Sequence, residues 1–131
     1  MGLFKRLFGL ADKQVPELRH HEAGKPVEHA VLLHFRLDGE GPTPDEMTRY
    51  HGLQDELSAA IAAEGAGDVD GDEWGGGECV VYTYGPDAER LWKAMEPVLA
   101  KYPFPAGSFA VKRFGGPSEG REETVDMGWA G

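Results

Sequence analysis

Residues 68–102 decide the fold, and they read DVDGDEWGGGECVVYTYGPDAERLWKAMEPVLAKY. The alternating run 78–84 predicts a β-strand, and the acidic run 68–74 before it predicts a partner strand. The glycines of 75–77 suit a hairpin turn, because glycine accepts the positive φ angles that such a turn needs. Residues 88–102 repeat apolar side chains at spacings of three and four, which predicts an amphipathic helix. The stretch therefore predicts a strand pair followed by a helix.

Local signals also set the limits of the helices. Thr43, Pro44 and Glu46 form a helix start, in which Thr43 caps the helix and Glu46 reaches back to it in a capping box. This first helix is expected to end near Gly65. Its predicted buried residues are Met47, Tyr50, Leu53, Leu57, Ala60 and Ile61. In the second helix Pro97 removes a backbone hydrogen bond at a cost of about 3 kcal/mol, so we expect a kink or a break there.

The remaining apolar runs predict strands. Residues 27–37 are rich in branched side chains, residues 108–114 form a similar run, and residues 122–127 are a candidate edge strand. The order strand, helix, strand, strand, helix, strand is typical of a ferredoxin-like βαββαβ sandwich of the α+β class. We therefore expect an antiparallel four-stranded sheet with two helices on one face. An extra C-terminal edge strand is an open alternative.

The chain of 131 residues suits one domain with a single core. We assign residues 27–127 to that domain, residues 1–26 to a short amphipathic helix and a polar linker, and residues 128–131 to a flexible tail. Four apolar side chains fall on one side of this predicted N-terminal helix, beside Lys5 and Arg6. They are Leu3, Phe4, Leu7 and Phe8. This pattern is typical of a segment on a membrane surface, and the alternative is a terminal helix that docks on the domain or frays.

Acidic residues outnumber basic ones. Lys and Arg total 13 against 23 Asp and Glu, a formal net charge of -10 that would repel a phosphate backbone. Nucleic acid is therefore not an expected partner, whereas an acidic surface favours association with a basic protein. The single cysteine cannot form an internal disulfide, and the chain lacks the pattern of a secretory signal, so we expect a cytoplasmic protein. No segment approaches the ~20 apolar residues that cross a bilayer.

Neither a metal nor a cofactor is predicted. Asp68, Asp70 and Asp72 alternate as the first ligands of a calcium loop do. Glu73, however, stands where that loop needs glycine, and Cys79 stands where it needs glutamate. The five histidines do not match a zinc signature. The glycines around the hairpin match neither the phosphate-binding nor the dinucleotide-binding pattern.

No catalytic residue is predicted either. Cys79 with His34 from a neighbouring strand is one conceivable nucleophile and base. We prefer the interpretation of Cys79 as a small core residue, because free cysteine is among the most buried residue types.

One set of side chains is a candidate binding site. Strand residues alternate between the two faces of a sheet, so the face without helices would display a defined set. Its members are His34 and Arg36 from the first strand, Tyr82 and Tyr84 from the third, and Lys112 or Arg113 from the fourth. The alternation does not decide which set faces the helices. Aromatic residues and arginine are enriched in protein interfaces, while a small-ligand site or plain solvent exposure are alternatives.

Four short motifs occur along residues 70–117. They are the Gly-rich hairpin DGDEWGGGE, the helix start YGPDA, the helix end PVL and the basic-aromatic-glycine strand end KRFGG. Together they resemble a group of small, uncharacterised bacterial proteins. The resemblance implies a bacterial cytoplasmic origin and supports the fold, and it transfers no activity, cofactor or catalytic residue.

The sequence thus predicts a non-enzymatic interaction module that binds a protein partner or forms a homodimer, through its open sheet face or a sheet edge. A toxin-neutralising immunity protein is one concrete form, because an acidic surface suits a basic nuclease toxin. A first alternative is a small-ligand-binding protein or enzyme with a pocket between sheet and helices, lined by His34, Arg36, Tyr82 and Tyr84. A second is a peripheral membrane protein that uses the N-terminal apolar residues.

Overall fold

The computed structural model describes residues 28–116 and 120–128. Its elements in chain order are β1 (His29–Arg36), α1 (Pro44–Glu64), β2 (Asp68–Gly75), β3 (Glu78–Gly85), α2 (Ala88–Leu99), β4 (Phe109–Phe114) and β5 (Arg121–Asp126). The strands form one antiparallel sheet in the order β2-β3-β1-β4-β5. The α+β class is therefore confirmed. The sheet has five strands rather than four, because the C-terminal run pairs with β4.

Both helices pack against one face of this sheet. α1 lies against β2 and α2, and α2 lies against β1, β3 and β4. The side chains between these layers form a cluster of buried apolar groups. Within it the ring of Phe35 lies 4.8 Å from the ring of Tyr50 and 4.8 Å from that of Phe104. Val31, Leu33 and Phe35 of β1 thus face the helices. The sequence did not decide which alternating set of strand residues lies on that side.

The β2–β3 hairpin is confirmed. Gly75 pairs with Glu78, which leaves Gly76 and Gly77 as a two-residue turn with φ angles of 61° and 81°. Positive φ at both turn residues twists the strands in the sense that a sheet requires, and glycine adopts it without steric cost.

The start and end of α1 follow the predicted signals. The backbone N–H of Glu46 donates to Thr43 Oγ1 at 3.1 Å, and the N–H of Thr43 donates to Glu46 Oε1 at 2.9 Å. Gly65 ends the helix in the left-handed conformation, with φ 60°. The capping box therefore supplies hydrogen-bond acceptors for two backbone N–H groups that have no acceptor within the helix.

The predicted buried stripe of α1 is wrong at two residues. Met47, in the first turn, is 39 % exposed, and Ala60 is partly exposed, whereas Tyr50, Leu53, Leu57 and Ile61 are buried as predicted.

Pro97 was expected to kink or break α2, and the structure shows no break, since the helix continues through Pro97 to Leu99. Pro97 is exposed in the last turn of α2, so water can form a hydrogen bond with the backbone carbonyl that loses its helical partner.

The capping box makes stability depend on pH. Hydrogen bonds from the backbone N–H groups of Thr43 and Asp38 lower the pKa of the Glu46 carboxyl below its usual value. A carboxyl whose pKa is lower in the folded state stabilises the fold above its unfolded pKa, and this contribution is lost as the pH falls through the folded value. We expect Glu46→Gln to be less stable than wild type at pH 7 and equally stable near pH 3. Urea unfolding at both pH values measures the difference, and a pH-independent difference would contradict this account.

Candidate functional site

The sheet face away from the helices carries a second set of side chains. Tyr82, Leu32 and Val111 lie in one cross-strand row, and Val80, His34 and Phe109 lie in the next. We call the following residues the helix-free face: Ala30, Leu32, His34, Arg36, Val80, Tyr82, Tyr84, Phe109, Val111 and Arg113. Neither helix of the described residues packs on it.

The centre of the helix-free face is apolar. Leu32 on β1 lies between Tyr82 on β3 and Val111 on β4, and in the next row Val80 and Phe109 lie on either side of His34. All five apolar side chains are partly exposed, whereas their neighbours along each strand, which face the helices, are buried. Apolar side chains that stay partly exposed in one contiguous group are available for contact with another molecule. The tyrosines of this face were predicted as candidate site residues, whereas its aliphatic residues were not, although the alternation of β1 and β4 indicates them.

His34 is held in a fixed orientation on this face. Its Nδ1 lies 2.6 Å from Glu78 Oε1, and its ring stacks on Phe109 with 4.4 Å between centroids and 8° between planes. Arg36 lies opposite Glu78 in the sheet and is exposed. These groups can bind a polar or charged group of a ligand or partner.

Two other polar side chains of the face form hydrogen bonds with groups of the protein itself. The Tyr82 hydroxyl donates to Glu73 Oε1 at 2.5 Å, and Arg113 Nε donates to the carbonyl oxygen of Gly115 at 2.9 Å. Burial lowers the pKa of Arg113, while Tyr84 and neighbouring carboxylates counteract this shift. These contacts restrain Tyr82 within the apolar centre and Arg113 at its border.

Acidic side chains border the face on both outer strands. We call these residues the acidic flanks: Asp68 and Glu73 on β2, and Glu122 and Asp126 on β5. All four are exposed. They lie opposite Tyr84, Val80, Arg113 and Phe109, respectively. The face therefore has an apolar centre between two lines of negative charge.

The prediction of Lys112 as a face residue is wrong. Its Nζ lies 3.0 Å from Glu89 Oε1 of α2, 3.6 Å from Glu123 Oε1, and 5.8 Å from the ring centroid of Trp92. The carboxylates and the aromatic ring compensate the buried ammonium group on the helix side. Of the two alternatives, Arg113 belongs to the helix-free face.

Cys79 and His34 lie on opposite faces of the sheet, so they cannot act as a nucleophile and its base. Burial raises the pKa of the Cys79 thiol well above its usual range, and the carboxylates of Asp72 and Glu78 add to the shift. We therefore expect a disulfide reagent such as DTNB to leave the native thiol unmodified and to modify it fully in urea. Rapid modification of the folded protein would contradict this burial.

The predicted lining of a pocket between sheet and helices is wrong as well. His34, Arg36, Tyr82 and Tyr84 belong to the helix-free face, because they alternate with residues that face the helices. A ligand site that uses these four side chains must therefore lie on the outer side of the sheet.

The alternating aspartates do not gather at one point. The pairing register of β2 shifts between Val69 and Gly71, and Asp72 turns to the helix side. There its Oδ2 accepts a hydrogen bond from Gln54 Nε2 at 2.7 Å and lies 3.5 Å from His51 Nε2. Among residues 28–116 and 120–128, no three His, Cys, Asp or Glu side chains form a group that could hold a metal ion.

A scan against protein-family models finds no match, and neither do searches of curated proteins and of solved structures. The resemblance of residues 70–117 to small bacterial proteins therefore stays a prediction. No helix in the described part of the chain is long and apolar enough to cross a membrane. The N-terminal residues predicted to contact a membrane surface lie outside the described residues. They are Leu3, Phe4, Leu7 and Phe8.

Proposed function

We propose that this protein is a non-enzymatic interaction module that binds a protein partner through the helix-free face. The observation that carries this proposal is the contiguous, partly exposed apolar centre around Leu32. Aromatic residues and arginine accompany it on the same face, and both are enriched in protein interfaces.

The finer fold assignment is part of the same proposal. The order β2-β3-β1-β4 within the sheet and the order βαββαβ along the chain support a ferredoxin-like sandwich, to which β5 is added at one edge. With both helices on one side, this architecture leaves one sheet face for contacts.

The sheet edges are less suited to a partner than the face. β2 combines a register shift with four acidic residues, and β5 has the sequence REETVD. Irregular pairing and charged side chains on an edge hinder the addition of another strand. Contact through the face avoids both obstacles.

The charge of the chain favours a basic partner. A formal net charge of -10 repels an acidic protein and attracts a basic one over long distances. A bacterial, cytoplasmic immunity protein that neutralises a basic toxin is one form of this proposal. A homodimer through the same face is another, although it would bring two sets of acidic flanks together.

Affinity capture with matched variants tests the face. Leu32→Lys with Val111→Lys places two charges in the apolar centre, whereas Met47→Lys with Ala63→Lys adds the same charge to exposed positions of α1. We expect a partner to be retained by wild type and by the α1 variant but lost from the face variant. Sedimentation equilibrium of the three proteins shows whether that partner is a second copy. Equal retention by all three would contradict the proposal.

The fixed orientation of His34 supports a second candidate function, the binding of a small ligand beside Arg36 on the outer side of the sheet. A ligand that binds only the folded state raises the melting temperature. In a metabolite screen, a rise that is lost in His34→Ala and in Tyr82→Phe would support this function. A wild-type protein that shows no rise with any metabolite would count against it.

A further inference from the structure

The dimensions of the helix-free face suit one helix laid across it. β2 and β5 lie four strand spacings apart, about 19 Å at the usual separation of neighbouring strands. An α-helix with its side chains is ~10–12 Å across. A helix packed on Leu32 and Val111 would therefore fit between the acidic flanks, and its lateral side chains would point towards them.

The charges around the apolar centre are unequal. Asp68 and Glu73 border it on β2, and Glu122 and Asp126 border it on β5. Among the described residues, the arginines that share the face are Arg36, which lies opposite Glu78, and Arg113. Arg113 donates to a backbone carbonyl and lies near Glu122, so its charge is partly balanced within the protein.

This distribution of charge favours a basic binding partner over an acidic one. A long lysine or arginine side chain packs its methylene groups on apolar surface while its charged end reaches a carboxylate. An acidic helix would place like charges opposite both flanks, and a second copy of this chain would do the same. The pattern of an apolar centre between two acidic lines thus matches an apolar helix face bordered by basic residues.

We propose that the occupant of the helix-free face is an amphipathic, cationic helix of a partner protein. Its apolar side packs on the centre around Leu32, and its lysine or arginine residues pair with the acidic flanks. This inference rests on the proposed function and specifies the chemistry of the partner.

The test is a titration of the full-length, isotope-labelled protein with two synthetic helical peptides, followed by NMR. One peptide consists of leucine and lysine in an amphipathic pattern, and the other has glutamate in place of every lysine. We expect the leucine–lysine peptide to shift the amide signals of β3, β1 and β4, around Val80, Leu32 and Val111. We expect the leucine–glutamate peptide to cause no shift, and raised salt to weaken the first complex.

Matched variants separate the effect of the acidic flanks on peptide binding from the effect of the net charge. Glu73→Gln with Glu122→Gln removes one charge from each flank, and Asp55→Asn with Glu64→Gln removes two exposed charges from α1. We expect the flank variant to weaken peptide binding by about fivefold, as two exposed ion pairs permit, and the α1 variant to leave it unchanged. Equal weakening by both variants, or shifts centred on the helices, would overturn the inference.

The two proposals fail in distinguishable ways. Binding of the leucine–glutamate peptide to the same face overturns the cationic occupant and leaves the interaction face intact. Absence of binding by the leucine–lysine peptide overturns the inference, while affinity capture decides separately whether a partner needs the face. Only a partner retained equally by the face variant removes the proposed function itself.

Discussion

Gly85→Ala is expected to destabilise the protein by about 3 kcal/mol or more. A Cβ at this position would lie 2.1 Å from the carbonyl oxygen of Ala66. Backbone atoms cannot move aside as a flexible side chain can, so the chain between α1 and β2 would have to separate from the end of β3. Gly67, opposite Gly85, is equally close, since a Cβ there would lie 2.0 Å from the carbonyl oxygen of Tyr84. The two glycines allow the connection after α1 to pack directly on β3.

Gly52→Ala is the matched control for this substitution. Gly52 lies within α1, and a Cβ there meets no atom within 4 Å. Because alanine restricts the unfolded chain and favours the helix, this variant should be more stable than wild type by about 0.5–1 kcal/mol. Urea unfolding of both variants measures the contrast. A small effect of Gly85→Ala would show that the close approach to Ala66 is not a feature of the folded protein.

Phe35→Ala is expected to cost about 3–5 kcal/mol, because truncation removes apolar contacts and leaves a cavity in the core. Phe35 is fully buried and contacts the rings of Tyr50 and Phe104. It therefore connects β1 to α1 and to the segment after α2.

Phe109→Ala provides the comparison from the opposite face. Phe109 is partly exposed and stacks on His34, so its loss should cost about 1–2 kcal/mol. The free energies of unfolding of the two variants measure how differently the faces are packed. Equal losses would indicate that the helix-free face is covered as fully as the core.

Local sequence signals predicted much of the fold. The capping box at Thr43 and the glycine turn at Gly76 each depend on residues close in sequence, whose effects on the backbone are direct. The apolar spacing of α2 likewise fixed which side of that helix is buried. Such features are readable because their cause and their effect lie within one or two turns of chain.

Long-range contacts account for what the sequence did not predict. In β3 the two alternating sets are similar in apolarity, so only packing decides that Val81 faces the helices and Tyr82 does not. Lys112 is buried because α2 brings Glu89 to it from a distant part of the sequence. The acidic flanks likewise become a pattern only when β2 and β5 take the two outer positions of the sheet.

The central claim is that one sheet face is packed under the helices while the other is available for contact. Paramagnetic relaxation of methyl signals by a soluble gadolinium chelate measures this directly in the full-length protein. Adjacent residues provide matched pairs, since Leu32 and Val80 lie on the helix-free face while Leu33 and Val81 lie in the core. The account predicts strong relaxation of the Leu32 and Val80 methyl groups and weak relaxation of those of Leu33 and Val81. Equal protection of all four would contradict it.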